Sequence, residues 1–241
     1  MKTIHSRWIP TSWLKLVSGF LLSTLAMVST AADNQLSTKE QAQEWQLLFN
    51  GKDMSQWRNF KKPGVNSKWV IAQDAMHLSA GGGGDLMTQK QYKNFELKLD
   101  WKIALAGNSG IFILADELGK HIYSHAVEVQ ILDNERHSDN KIDSHLSGSI
   151  YDIAASPKAA HKEAGQWNSV YIRINNDVLT VKQNGIKTVD ILVGGKQWND
   201  LVGKSKFKTW QGFAKAQKGH IGLQDHSDPV WFKNIKIREL N

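Results

Sequence analysis

Residues 95–103 read Phe95-Glu96-Leu97-Lys98-Leu99-Asp100-Trp101-Lys102-Ile103. Apolar side chains at the odd positions alternate with charged ones at the even positions, the period of a strand with one face in a core and one in water. The same short, β-rich character recurs at 110–114, 127–132, 170–174, 179–182, 220–224 and 235–237. Turn residues divide several of these runs. Asn175-Asn176-Asp177 is one such break, and Asn184-Gly185 is a stronger one, because that pair suits the left-handed backbone of a two-residue hairpin. No long stretch carries the 3.6-residue period of a helix. Many short strands with tight turns predict an all-β, antiparallel sandwich or jelly roll in a single domain.

Composition narrows the chemistry. The 241 residues are 41% hydrophobic and 22% charged with 4 Pro, which excludes disorder and low-complexity assemblies. Zero Cys removes disulfides, thiolate metal sites and cysteine nucleophiles. At the amino terminus Lys2, His5 and Arg7 precede an apolar stretch from Trp13 to Val28, followed by Ser29-Thr30-Ala31-Ala32. This is the pattern of a secretory signal, with cleavage expected near Ala32. The stretch is too short and interrupted for a membrane span, and no Cys follows it to accept an acyl anchor. A periplasmic or secreted product without a membrane anchor is expected. Loss of Lys2, Arg7 and Lys15 with the signal lowers the net charge from +7 to +4. The remaining lysines are scattered, so no nucleic-acid partner is expected. Residues 33–44 are polar and read as a loose arm or short helix, and the folded domain is expected over 45–241.

The segment Ala126-Val127-Glu128-Val129-Gln130-Ile131-Leu132-Asp133 carries the first chemical signal. Strand alternation puts Val127, Val129 and Ile131 on the core face and projects Glu128 and Gln130 side by side onto the other. An exposed strand face ordinarily carries such residues. Here Asp133 ends the strand, and His145, Tyr151 and Asp152 follow in a polar segment. Sandwich enzymes that hydrolyse unmodified glycans set two carboxylates about the scissile bond, yet the positions two and four after Glu128 are Gln130 and Leu132. A two-carboxylate reading needs a distant acid such as Asp225. His226, within Gln224-Asp225-His226, is another candidate functional residue. Gly81 to Gly84 lacks the Gly-Lys-Ser/Thr of a phosphate loop and reads as a turn. Trp45, Trp101 and Trp231 are expected in the core. Trp198 and Trp210 lie in the Gly- and Lys-rich stretch 194–217, which reads as a long loop, and are candidates for stacking on sugar rings.

Seven segments occur in order: Leu48-Phe49-Asn50-Gly51-Lys52-Asp53 with Trp57; Asn94-Phe95-Glu96-Leu97; Gly107-Asn108-Ser109-Gly110-Ile111-Phe112; Glu128 to Asp133; Gly148-Ser149-Ile150-Tyr151-Asp152; Gly165-Gln166-Trp167-Asn168; and Ile221 to His226 with Phe232-Lys233-Asn234-Ile235. Together, over roughly residues 45 to 240, they resemble the 3-keto-disaccharide hydrolase domain family. The resemblance implies a concanavalin- or laminarinase-like jelly roll that cleaves glycosides already oxidised to a ketone at C3. Such a ketone acidifies the C2 hydrogen, so one base can expel the C1 oxygen by elimination and water can then add to the enone. On this reading Glu128 or His145 is the base. Asn108, Gln130, Tyr151 and Gln224 bind substrate, and Asp133, Asp225 and His226 orient it or ligate a cation. No organic cofactor is expected, and a divalent cation is compatible with the residues present. A sugar 3-dehydrogenase would supply the oxidised substrate. Leu114 departs from the family pattern, which favours Arg there, and so alters how substrate oxygens are expected to be held. A carbohydrate-binding, lectin-like module is the alternative from another functional class.

Overall fold

A computed structural model describes residues 1–3 and 32–240. The signal pattern and its cleavage point fall almost entirely outside the described residues. No helix among the described residues is long and apolar enough to cross a membrane.

Among the described residues, thirteen strands form two antiparallel sheets. In chain order they are β1 (Gln46–Leu47), β2 (Trp57–Asn59), β3 (Trp69–Ala72), β4 (Ala75–Leu78), β5 (Leu86–Thr88), β6 (Phe95–Ile103), β7 (Asn108–Ala115), β8 (Val127–Leu132), β9 (Asn168–Asn175), β10 (Val178–Gln183), β11 (Ile186–Leu192), β12 (His220–Leu223) and β13 (Val230–Glu239). The larger sheet runs β11-β10-β9-β6-β13-β4-β3 with β1 beside β13, and the smaller runs β2-β5-β12-β7-β8. The chain is thus an all-β jelly-roll sandwich, as expected.

Alternation builds the core. Phe95, Leu97, Leu99, Trp101 and Ile103 turn inward from β6, and Val170, Ile172 and Ile174 do so from β9. They meet Ile111, Ile113, Val127, Val129, Ile131, Ile221 and Leu223 from the smaller sheet. The hairpin between β10 and β11 turns on Asn184 and Gly185, both at positive φ, which is why that dipeptide marks the bend. Trp45 and Trp101 are buried, but Trp231 is not a core residue. Its neighbour Phe232 takes the inward position, and adjacent strand residues face opposite ways. Trp231 therefore stacks on His77 on the outer face, with ring centroids 4.2 Å apart, beneath the Lys102 ammonium.

The polar segment 33–44 is tied down rather than loose. The Asn34 and Asn234 backbone amides each donate to the other's side-chain oxygen, at 2.6 and 2.8 Å. Ser37 and Glu40 cap a short helix, α1 (Thr38–Ala42), reciprocally, and Glu40 accepts from Lys236 at 2.9 Å. The stretch 194–217 is also more than a loop. It contains helix α2 (Lys196–Val202) and a 3₁₀ turn, Lys206–Thr209. Trp198 is buried there, parallel to Phe213, so it is packing and not a platform for sugar. Trp210 packs edge-on against Phe207 at 5.0 Å.

Candidate active site

The outer face of the smaller sheet holds the candidate site. Glu128 and Gln130 project from β8 on the face opposite Val127, Val129 and Ile131, but that face is covered: Gln130 is 1% exposed and Glu128 8%. β7 makes room for them. Gly110 pairs with Gln130 across the ladder, and a Cβ on Gly110 would stand 2.4 Å from Glu128 Oε1. The missing side chain is the space the carboxyl group occupies. Beyond it on the same face, Met87, Phe112, Ile122 and Ala126 form a small apolar cluster.

A cleft of about 540 Å³ opens over this floor, within the usual range for small-molecule sites. Of the residues singled out in the sequence, Asn108, Glu128, Gln130, Tyr151, Gln224 and His226 line it. His145, Asp133 and Asp225 do not. The floor is rich in unused hydrogen-bonding capacity: Asn108 Oδ1, Gln224 Oε1 and both amide atoms of Gln130 are buried without a partner among the described residues. Buried amides left unpaired cost free energy, and a polyhydroxylated ligand supplies what they lack.

Glu128 is pushed up to about 8 by its burial, opposed by the Lys206 charge, raised further by the nearby Asp85, and opposed again by the Gln224 amide. The Lys206 ammonium lies 4.2 Å above the Tyr151 ring. Loss of water pulls Lys206 below the ordinary lysine value, against the attraction of Glu128, Asp152 and Asp139. Its position is fixed from behind. Asp152, held at positive φ, accepts the Lys206 backbone N–H on one oxygen at 2.7 Å and faces His145 Nε2 with the other at 3.1 Å.

His145 stands in a chain of contacts behind the cleft wall. Its Nδ1 faces Asp139 Oδ1 at 2.8 Å, its ring stacks on Tyr151, and the Tyr151 hydroxyl donates to Asp139 Oδ2 at 3.0 Å. Each ring nitrogen is therefore aimed at a carboxylate and neither at the cleft. Burial, followed by the charge of Asp139 and the hydrogen bond to it, drives the Tyr151 hydroxyl well above the usual tyrosine value.

The two other expected residues serve the backbone. Asp133 accepts the Ala106 N–H at 2.7 Å and the Glu135 N–H at 3.1 Å. Asp225 accepts from Gly82 and Gly84 at 2.9 and 2.7 Å and from Ser227 at 2.9 Å, so the four-glycine run is a nest for this carboxylate. Leu114 lies in the main core and not on the cleft. Sequence reasoning passed over Asp139, Lys206, His137 and Phe207, all of which line the cleft. They come from irregular segments, where no periodicity signals which way a side chain points.

A sandwich with a deep polar cleft on one sheet, floored by unpaired amides around the buried Glu128 carboxyl group, defines the class of protein: a carbohydrate-directed β-sandwich. The model of the 3-keto-α-glucoside-1,2-lyase-like domain matches residues 44–238, and the chain belongs to that family. It is 34% identical over 225 residues to the 3-keto-disaccharide hydrolase of Bacteroides thetaiotaomicron, covering 80% of this chain and 78% of that one. A solved structure of a candidate glycosyl hydrolase from Parabacteroides distasonis superposes with a TM-score of 0.81 at 28% identity, covering 87% of this chain and all of that one. A galectin-like protein of unknown function from Bacillus subtilis shares the fold alone, with a TM-score of 0.52 at 10% identity over 86% of this chain and 94% of that one.

Proposed function

We propose that this protein cleaves glycosidic bonds in 3-keto-glycosides by base-assisted elimination followed by hydration, with Glu128 as the base. One observation carries the reading: the buried Glu128 carboxyl group, raised to about 8, faces a cleft of unpaired amides. A base of raised pKa suits a carbon acid better than an ordinary carboxylate does. The cleft does hold a second carboxylate, Asp139, but both its oxygens are engaged by His145 and Tyr151, and Asp225 is engaged by the glycine nest. Neither is placed as the free partner that a two-carboxylate glycosidase requires.

In the proposed reaction Glu128 takes the C2 proton and the electron pair moves onto the C3 oxygen as an enolate. The Lys206 ammonium stabilises that developing charge. The enolate collapses, re-forming the C3 carbonyl and breaking the bond from C1 to the aglycone oxygen. Water then adds at C1, its proton goes to the departing oxygen, and Glu128 returns its own proton to C2. The sum is hydrolysis. His145 and Asp152 act as positioning residues for Tyr151 and Lys206, and Asn108, Gln130 and Gln224 hold sugar hydroxyls. The substrate must come from an oxidoreductase acting on a C3 hydroxyl, and the amino-terminal signal pattern supports action outside the cytoplasm.

Incubation of the protein with 3-keto-trehalose or a 3-keto-glucoside tests this directly, following released sugar and the enone chromophore. Release above the spontaneous rate is expected. Release only from unoxidised glycosides, or sugar bound and recovered unchanged, would overturn the reading, and the second result would favour a lectin-like role.

A further inference from the structure

We propose that His137, His226 and Asp228 bind a divalent first-row transition cation at the rim of the cleft, where it takes oxygens of the incoming sugar. The proposal deepens the reading above and rests on it only for the sugar. These three residues offer donor atoms that all lie within 4.8 Å of one another. They reach the spot from separate segments: His137 follows β8, and His226 and Asp228 sit between β12 and β13. His137 and His226 also line the cleft.

The donor set selects the ion. Two imidazoles and a carboxylate suit zinc, manganese, iron or cobalt, whereas calcium and magnesium want oxygen alone. Three protein ligands leave open positions, the mark of a site that handles substrate and not one that only staples the fold. Asp228 is held ready, since its Oδ2 accepts the Asn108 N–H at 2.9 Å. The Asn108 side chain, 5% exposed, keeps its Oδ1 unpartnered in the same cleft and adds an oxygen for the ligand. His226 is exposed, with its Nδ1 4.0 Å from Asp228 Oδ2, so rotation of one free side chain closes the set. His137 Nδ1 accepts the Asp139 backbone N–H at 3.0 Å. The cation exchanges for that amide at the ring's lone pair, which makes the site weaker than a closed structural one and links it to Asp139.

The carboxylates named from the sequence as candidate cation ligands are occupied elsewhere. Asp133 and Asp225 hold backbone amides. Of that set only His226 belongs to the new cluster, and its partners His137 and Asp228 had no distinguishing sequence spacing.

Calorimetric titration of chelator-treated protein with Zn²⁺ and with Mn²⁺ tests the site, beside His137→Ala and His226→Ala. The exposed His226 can be truncated without touching the core, and the melting temperature of each variant checks its fold. One equivalent is expected to bind the unaltered protein, with affinity falling roughly 100-fold or more in either variant, beyond the 10- to 100-fold typical of outer-shell changes. Co²⁺ should give visible absorption bands that His226→Ala abolishes. Absence of binding to millimolar concentration, or binding untouched by both substitutions, would overturn the site. Cleavage of a 3-keto-glucoside is measured in parallel on the same samples. Cleavage without rim binding removes the cation site and leaves the reaction standing, whereas rim binding without cleavage of any 3-keto-glycoside removes the reaction and leaves the site standing.

Discussion

Replacing Glu128 by Gln should destroy activity and stabilise the fold. The substitution keeps the shape of the side chain and its contact with Gln224 while removing the charge. In the folded protein the carboxyl group holds its proton to about 8, and the ordinary value is 4.5. Between those values the unfolded chain has released the proton and the folded chain has not, so the unfolded state binds fewer protons and stability falls as pH rises. At about 1.4 kcal/mol per pH unit this window corresponds to on the order of 4–5 kcal/mol, an upper figure because the cleft can relax and admit water. Gln carries none of that loss. At pH 9 the variant should melt above the unaltered protein by up to roughly 8–20 °C, using about 2–4 °C per kcal/mol for a chain of this size. The gap should close near pH 4. Turnover of a 3-keto-glucoside should fall by roughly 10²–10⁴, the usual worth of a general base. Melting by scanning calorimetry across pH, beside initial rates, separates the two effects. Equal melting curves at pH 9, or a rate within a factor of a few of the original, would refute the assignment of a buried, raised carboxyl group as the base.

If Glu128 is the base, as proposed, it works deprotonated, and kcat/KM should rise with pH and level off above about 8. Lys206→Met removes the cation that holds the Glu128 value down, so the limb should move to higher pH and the plateau fall at least about 100-fold, and a pH–rate profile of the two proteins reads both. Gly110→Ala puts a Cβ 2.4 Å from Glu128 Oε1. Glu128 Cδ and Cγ would also stand 3.0 Å away, so the buried side chain must shift as a whole, lowering kcat about 100-fold with some loss of melting temperature. Gly219→Ala is the contrasting case, since its Cβ would stand 2.3 Å from the Leu114 carbonyl carbon. Backbone cannot yield as a side chain does, so denaturant titration should show a loss of about 1–3 kcal/mol with activity per folded molecule retained.

The parts of this molecule that sequence reveals are those where one residue's direction fixes the next. The alternation in 95–103 and 127–132 coincides with β6 and β8, and the parity of Glu128 and Gln130 follows from it. Parity could not say that this face is roofed, because the roof comes from 137–151 and from the 3₁₀ turn at Lys206. β2 to β5 have only three or four residues each, too few for a period to show. Trp231 and Phe232 are both large and apolar, and no local rule says which turns inward. A shift in register between Lys233 and Lys236 interrupts the parity carried back from Ile237. His145 lies close in sequence to Tyr151 and Asp152 and does meet both, but proximity could not tell the front of the wall from the back.

The proposed one-base reaction accords with the distribution of carboxylates in the site. The site region holds Glu128, Asp85, Asp139, Asp152 and Asp225; the last four accept backbone or side-chain donors, and Glu128 meets the Gln224 amide alone. Donors aimed at a carboxylate fix its orientation; Glu128 lies in the hollow left by Gly110, and its burial raises its affinity for a proton. The same division places a cation, Lys206, against the Glu128 carboxyl group. An acid that must protonate a leaving group could sit in such a niche too, but it would need a second, unencumbered carboxylate across the scissile bond. The glycine nest and the Tyr151–Asp139–His145 chain have taken those candidates out of use. What remains suits a substrate whose own carbonyl does the work of the second acid.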